Sequence, residues 1–370
     1  MDVHEINYHS IKQKMISGRY ITFDHITGIM DSLSKKFHVA IIGCSVNGIP
    51  INSITIGNGP KKILMWSQMH GNESTTTKAV FDLINFLDSN SRLSNSILEN
   101  CTIRIIPMLN PDGAQAYTRV NANNIDLNRD AQDRSQPESN VLRDCFEEFK
   151  PDFCFNLHDQ RTIFNVGNTP KPATVSFLAP SHDAKRSISK SRAIGMKLIA
   201  AMNKQLQELI PGQIGRYDDV FNANCVGDTF QMLSIPTILF EAGHYFEDYE
   251  REITRQYVFI ALVTALKVIS ENTIHKFAEE DYLKIPENRK LFYDILINNA
   301  HIINQKLYGH KESIGIIFKE FLQDATIKFE PLVDKTENLQ DYFGYKVYNC
   351  AIEKDLQELK SRSFWKGLSH

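Results

Sequence analysis

Ile63-Leu64-Met65-Trp66-Ser67-Gln68-Met69-His70-Gly71-Asn72-Glu73 is the stretch that decides the fold: an apolar run gives way to a polar turn, and a helix-like segment, Lys78 to Leu87, follows. Strand, turn and helix form the repeating unit of open α/β sheets, whose functional groups collect at the carboxyl ends of strands. His70 and Glu73 fall in this turn, three residues apart. Imidazole nitrogen and carboxylate oxygen are common donors to zinc, and a catalytic zinc site takes three protein ligands and keeps one position open. The third ligand must come from elsewhere in the chain.

Toward the N-terminus, Phe37–Gly43, Ser53–Ile56 and Lys62–Ser67 read as β-rich runs, punctuated by Asn47-Gly48 and by Gly57-Asn58-Gly59-Pro60. They predict a hairpin leading into a buried strand. Residues 1–36 have apolar spacing that suits one or two short helices, a helical extension to the main domain. In the other direction come a helix near Thr75–Leu87, a strand at Thr102–Pro107, a long polar loop from Leu109 to Gln136, and a proline-initiated helix at Pro137–Lys150. A strand at Asp152–Leu157 ends at His158, followed by a helix over Ser187–Leu209, a strand at Thr237–Phe240 and an apolar helix at Ile253–Ile269. This alternation predicts an α/β fold over residues 37–275, with a central mixed, mostly parallel sheet flanked by helices. From Lys276 the character shifts. A helical stretch at Asn288–Ile303 and strand-like runs at Ile314–Phe321, Thr326–Pro331 and Tyr345–Ile352 predict a small C-terminal α+β domain, residues 276–370, of unassigned role.

A chain of 370 residues exceeds one average domain. With 42% hydrophobic residues, 23% charged residues and a net charge of -3, it has no general affinity for nucleic acid or anionic membrane to be expected. Cys44, Cys101, Cys145, Cys154, Cys225 and Cys350 are scattered without a CxxC pair, which predicts reduced core thiols. The stretch Met1–Glu5 is acidic and leads into no continuous apolar segment, so neither a signal peptide nor a transmembrane span is expected, and residence is expected in the cytoplasm.

Three strand ends share one chemical theme. The first delivers His70 and Glu73; the second, Phe153-Cys154-Phe155-Asn156-Leu157-His158, delivers a histidine where a third ligand is needed; the third, Pro236-Thr237-Ile238-Leu239-Phe240-Glu241, delivers a carboxylate. Between the first two lie Asn110-Pro111-Asp112-Gly113, Arg119 and Asp126-Leu127-Asn128-Arg129. Taken singly, each has an ordinary reading: a solvated helix N-terminus, a core histidine, a salt-bridged strand end. In this order, HxxE, NPDG, DLNR and the two strand-end residues resemble the zinc metallocarboxypeptidases of the carboxypeptidase A type, in their bacterial cytoplasmic-like branch. The resemblance starts at Ser45-Val46-Asn47-Gly48-Ile49-Pro50-Ile51, which is similar to that family's SxxGRPI hairpin, and ends near Ile269.

The resemblance implies that His70, Glu73 and His158 bind one zinc ion per chain, and that Arg119 is the oxyanion arginine. A general base must stand within reach of the attacking water, and Glu241 is the candidate. The guanidinium fork of Arg129 and the amide of Asn128 suit a free terminal carboxylate, so the expected partner is a peptide or acyl amino acid carrying one. The oligomeric state stays open. Several positions depart from the family pattern. Asp130 adds an acid beside the carboxylate clamp, where it could select a cationic group; Asp159 could support a metal ligand or face solvent. Tyr217 is the only tyrosine in the segment before the base-bearing strand, but Phe221 lies nearer the position of the family's mobile tyrosine. Asn222 to Asp228 are expected to border the side-chain pocket, and His244 and Tyr245 to pack the strand end or support the site.

Two other readings compete. The succinylglutamate desuccinylase and aspartoacylase group shares HxxE, a DLNR-like element and a small C-terminal β domain, and cleaves N-acyl amino acids. A non-catalytic binding protein on the same fold would have lost a ligand or the base. NPDG and the Ser45–Ile51 hairpin favour the peptidase, and the ligands and base are all present.

Overall fold

The computed structural model describes Val3 and residues 6–369; apart from Val3, the leader-free reading of Met1–Glu5 lies outside the described residues. In chain order the strands are β1 (His38–Cys44), β2 (Pro50–Ile56), β3 (Lys61–Ser67), β4 (Cys101–Ile106), β5 (Phe153–Asp159), β6 (Asn165–Val166) and β7 (Val175–Leu178). They continue as β8 (Ile214–Arg216), β9 (Thr237–Ala242), β10 (Asn288–Arg289), β11 (Phe292–Asn298), β12 (Ser313–Gln323), β13 (Thr326–Glu337) and β14 (Phe343–Asn349). The main sheet has eight strands in the order β1-β2-β4-β3-β5-β9-β7-β8. Four of its seven pairings are parallel, β4 with β3, β3 with β5, β5 with β9 and β7 with β8, so the sheet is mixed as expected.

The central strands are covered on both faces, which is why they read as continuous apolar runs rather than alternating ones. Ile63, Leu64, Met65 and Trp66 of β3 and Cys154 and Phe155 of β5 are all fully buried. One face is packed by the helices Thr75–Leu87, Lys190–Gln207 and Glu252–Ser270. The last of these has the length and hydropathy to cross a membrane, yet 78% of it is buried inside the fold. Its Arg255 makes a two-pronged contact with Asp82 at 2.7 and 2.6 Å, and the same carboxylate accepts bonds from Tyr8 and from the Gln13 backbone. A buried charge pair with every oxygen satisfied is what fastens the N-terminal segment to the sheet's helical layer.

Three readings need correction. Asn288–Ile303 is not an α-helix: apart from a 3-10 turn at Ala300–Ile302 it is extended, β10 pairing with β6, and β11 pairing with β12 on one side and β14 on the other in a four-stranded sheet ordered β13-β12-β11-β14. Its apolar residues fit a helical period, but pairing on both edges prevails over local pattern. The loop Leu109–Gln136 contains the helix Pro111–Ala116, capped by Asn110, and a single 3-10 turn at Leu127–Arg129. Cys44 is exposed and Cys225 half-buried, so only four of the six free cysteines are core thiols. The helix Arg92–Asn100 and the short strands β7 and β8 were not anticipated at all.

Candidate active site

β3, β5 and β9 run parallel and end together, so their carboxyl ends bring three remote segments to one place. His158 and Glu241 are register partners across β5 and β9. Beyond β3 the chain turns through Gln68, at φ 50°, and delivers His70 and Glu73 before the helix Thr75–Leu87 begins.

The turn is braced from beneath by the NPDG segment. Asn110 donates from its amide to the Met69 carbonyl at 3.1 Å and accepts from the Gly113 backbone at 2.9 Å. Gly71 lies so close to the Gly113–Ala114 backbone that a side chain at position 71 would overlap it, and one at Gly113 would run into Asn110 and the Val120 carbonyl. Asp112 in turn accepts from the Ser45 hydroxyl at 2.9 Å and from the Asn47 backbone at 3.0 Å. The Ser45–Ile51 hairpin, NPDG and HxxE thus interlock as one unit, which gives their joint appearance in the sequence a mechanical reason.

Four donor atoms converge at the strand ends. His70 Nδ1 is 2.8 Å from Glu73 Oε1, His158 Nδ1 is 2.8 Å from Glu73 Oε2, and the two Nδ1 atoms are 3.1 Å apart. All three residues are buried. His70 Nε2 lies 3.0 Å from Asp126 Oδ1; a proton on that nitrogen leaves Nδ1 with its lone pair facing the carboxylate. Lone pairs and a carboxylate gathered this closely suit a cation, and nitrogen and oxygen donors within 4.8 Å of one another fit zinc chemistry. The electrostatics agree with a site that holds positive charge. Burial would push the Glu73 carboxyl up, but the two histidines outweigh it and hold it well below the usual range. Burial lowers His158, whereas in His70 it is overcome by Glu73 and Asp126, and the net direction is upward.

Glu241 stands apart from this group. Its side chain is buried, and Oε2 has no hydrogen-bond partner among the described residues. Burial, then the charges of Glu73 and Asp159, raise its proton affinity well above that of an ordinary carboxylate, against the pull of Arg119 and Arg251. It is a carboxylate prepared to accept a proton.

Arg119 donates to Asp126 at 3.0 Å and to Glu73 at 3.4 Å, at the exposed edge of the ligand group. Asn128 uses its carbonyl oxygen to accept from the Val226 backbone at 3.0 Å, leaving its NH2 group for another acceptor. Arg129 donates to the Asn128 carbonyl at 2.7 Å and to Cys225 Sγ at 3.0 Å. Arg119, Asn128, Arg129 and Cys225, with His70, Glu73, His158 and Glu241, line a single cleft of ≈ 710 Å³.

The departures resolve individually. Asp130 is turned away from the clamp: its carboxylate accepts from Ser135, at the backbone and the hydroxyl, and from the Gln136 backbone, so it is unavailable to select a cationic group. Asp159 does not support a ligand through its side chain, which caps the helix start at Thr75 and Thr76; its backbone N–H is what donates to Glu73. The carboxylate that meets the donor group is Asp126 of the DLNR stretch, 3.0 Å from His70 Nε2, a contact that sequence reasoning misses. Its signal was its position two residues ahead of Asn128. Tyr217, not Phe221, reaches the cleft wall, where it packs on Phe164. Of Asn222 to Asp228, Cys225, Gly227 and Asp228 border the cleft and the other four do not, with burial pushing the Asp228 carboxyl up to about 6. His244 is buried between Tyr249 and Tyr345, and Tyr245 packs on Tyr257, so both serve packing.

A part of the site comes from the chain's two extremes. Arg19 is buried in the cleft wall and pairs with Glu320 of β12 at 3.0 Å; Glu320 also accepts from Tyr117 at 2.7 Å. The Arg19 backbone oxygen accepts from Ser74, directly after Glu73.

The zinc carboxypeptidase profile matches residues 24–208, half of the chain, and spans His70, Glu73, Arg119, Asn128, Arg129 and His158. The chain belongs to the zinc carboxypeptidase family. Glu241 lies beyond the matched segment and joins the site through the β5–β9 pairing. Carboxypeptidase SOL1 of Arabidopsis thaliana is 34% identical over 136 residues, covering 33% of this chain and 28% of that protein. Carboxypeptidase 2 of Trichophyton rubrum is 26% identical over 137 residues, covering 36% and 24%. The chain therefore spans about a quarter of the length of these relatives. Among solved structures, the metallo-carboxypeptidase of Burkholderia cenocepacia superposes with TM-score 0.56 at 16% identity over 68% of this chain and 70% of that one. The metallo-carboxypeptidase of Pseudomonas aeruginosa in complex with (2-guanidinoethylmercapto)succinic acid gives 0.52 at 16%, over 66% and 68%. At these identities the structures establish a shared fold.

Proposed function

We propose that the protein is a metallocarboxypeptidase that hydrolyses the C-terminal peptide bond of its substrate, with His70, Glu73 and His158 holding one zinc ion. The observation that carries the reading is the coexistence, in one cleft, of the His-Glu-His donor group, a separate unpaired carboxylate and a guanidinium-amide pair suited to a terminal carboxylate. Zinc bound there would supply Lewis acidity, lowering the pKa of a water toward ~7 and polarising a carbonyl. Arg129 and the Asn128 NH2 group bind the substrate's terminal carboxylate and fix the register of the scissile bond. Glu241 accepts a proton from the attacking water as the new C–O bond forms. Arg119 donates to the oxyanion. When the C–N bond breaks, Glu241 returns the proton to the departing amine, so the products are a shortened peptide acid and a free amino acid. The interlocked Ser45 hairpin and NPDG favour this over N-acyl amino acid cleavage. The scatter of six unpaired cysteines supports a reducing, cytoplasmic setting.

The test is metal analysis combined with a peptide panel. One zinc per chain is expected, with turnover lost on chelation and restored by zinc; a metal-free protein inactive on every peptide after zinc loading removes the proposal. Two variants probe its parts. Asp126→Asn removes the charge that orients His70 and is expected to weaken zinc binding about 10- to 100-fold in a competition titration. Arg129→Gln is expected to raise KM about 10- to 100-fold with a smaller change in kcat, because a charged hydrogen bond to the substrate is lost in both ground and transition state.

A further inference from the structure

The cleft has two walls of different origin. One is the clamp wall, where Asn128 and Arg129 touch the loop that carries Cys225 and Val226. The other is built from residues 161–164, from Lys290 and from β12, and the segment after β5 is tied to the four-stranded sheet. The Phe292 backbone donates to the Ile163 carbonyl at 3.2 Å, Tyr345 donates to the Thr162 carbonyl at 2.9 Å, and Lys290 lies 5.8 Å from the Phe164 ring centroid.

That second wall carries three exposed cations, Arg161, Lys290 and Lys319, from three separate segments. None forms an ion pair among the described residues. Among the described residues of this wall that line the cleft, the one acid is Glu320, already neutralised by Arg19 at 3.0 Å; Glu330 of β13 stands opposite Lys319 in the strand register without forming an ion pair. Asp218 lies on the cleft rim, but its carboxylate turns back to accept from the Val220 backbone at 3.1 Å. A substrate whose terminal carboxylate occupies the clamp and whose scissile bond lies at the ligand group must extend its acyl portion away from the clamp. The second wall lines that remaining part of the cleft.

We infer that Arg161, Lys290 and Lys319 form a subsite for a carboxylate on the acyl side of the scissile bond, so that the preferred substrates are peptides with an acidic group in the residue just before the C-terminal one. This rests on the carboxypeptidase reading and deepens it. The carboxylate can belong to an acidic side chain or, in a γ-linked glutamyl residue, to the main chain; both present the same anion to the wall. Exposed charges act over roughly a Debye length, about 10 Å at 0.1 M salt, so the preference weakens as salt rises.

The experiment compares kcat/KM on N-benzoyl-Glu-Xaa and N-benzoyl-Gln-Xaa, with Xaa the residue best released in a neutral panel. A second pair compares the γ-glutamyl-linked substrate with its α-amide. The acidic member of at least one pair is expected to be favoured about tenfold at low salt, and which pair responds identifies the source of the carboxylate. In Arg161→Glu/Lys290→Glu/Lys319→Glu the preference should invert; because both substrates meet the same protein preparation, a loss of folded enzyme cancels in the ratio. Ratios near one in both pairs overturn the inference and leave the peptidase reading standing, as does a wild-type preference that persists in the triple variant. Absence of turnover on every peptide removes both.

Discussion

Glu241→Gln is expected to lower kcat by about 10³- to 10⁴-fold while zinc content stays at the wild-type level. The amide is nearly isosteric with the carboxylate, so the β5–β9 register that holds His158 opposite position 241 is undisturbed. What is removed is the carboxylate proposed to take a proton from water and return it to the amine. Positioned acid-base groups contribute about 10² to 10⁴ in rate, and one group serving both steps belongs at the upper end. Steady-state kinetics with metal analysis on the same sample checks this. A variant that lost zinc in step with activity would instead assign Glu241 to the ligand set, and one retaining activity would remove it from the mechanism.

Gly71→Ala is the second large effect, and it acts through shape rather than chemistry. A Cβ at this position would lie 1.8 Å from Gly113 C and 2.1 Å from Ala114 N, both backbone atoms that no rotamer change can move aside. Relief requires the HxxE turn and the NPDG helix start to separate, disturbing the Asn110 bonds to Met69 and Gly113. Over-packing of this kind costs about 3 kcal/mol at its upper range, and the displaced turn carries two of the three ligands. Chemical denaturation should show the loss, and zinc titration should show weaker binding than in the wild type. Gly48→Ala supplies the contrast: its φ is +79°, but nothing lies within 4 Å of the added methyl. Its cost is the left-handed backbone alone, about 1 kcal/mol, with zinc binding unchanged.

The convergence of His70, Glu73, His158 and Glu241 was legible because each follows the end of an apolar run, and parallel strands of an α/β sheet bring such ends together by topology alone. Asn110 and Asp112 were visible as a motif, although their work of bracing Gly71 and the Ser45 hairpin is geometric and leaves no trace in composition. Asp130 shows the opposite difficulty. Adjacent to Arg129 in sequence, it faces Ser135 and Gln136 in space, because the single 3-10 turn at Leu127–Arg129 ends there and the chain reverses. Asn288–Ile303 reads as a helix from sequence because the seven apolar-rich residues Phe292–Asn298 satisfy both periods until a partner strand is known. Nothing local marks Arg19 and Glu320 as partners, because their meeting depends on the docking of the C-terminal sheet.

That pair has a consequence for how the protein comes into being. Arg19 and Glu320 are separated by 301 positions, with the ligands, the clamp and the base all encoded between them. During synthesis His70, Glu73 and His158 emerge well before β12, and until β12 leaves the ribosome the wall containing Ile317, Lys319 and Glu320 does not exist. A nascent chain can therefore assemble its donor group while its cleft is still open along one side. Completion of the last strands, rather than arrival of the donor residues, sets the moment at which a chain made alongside other unfinished polypeptides acquires an enclosed cleft.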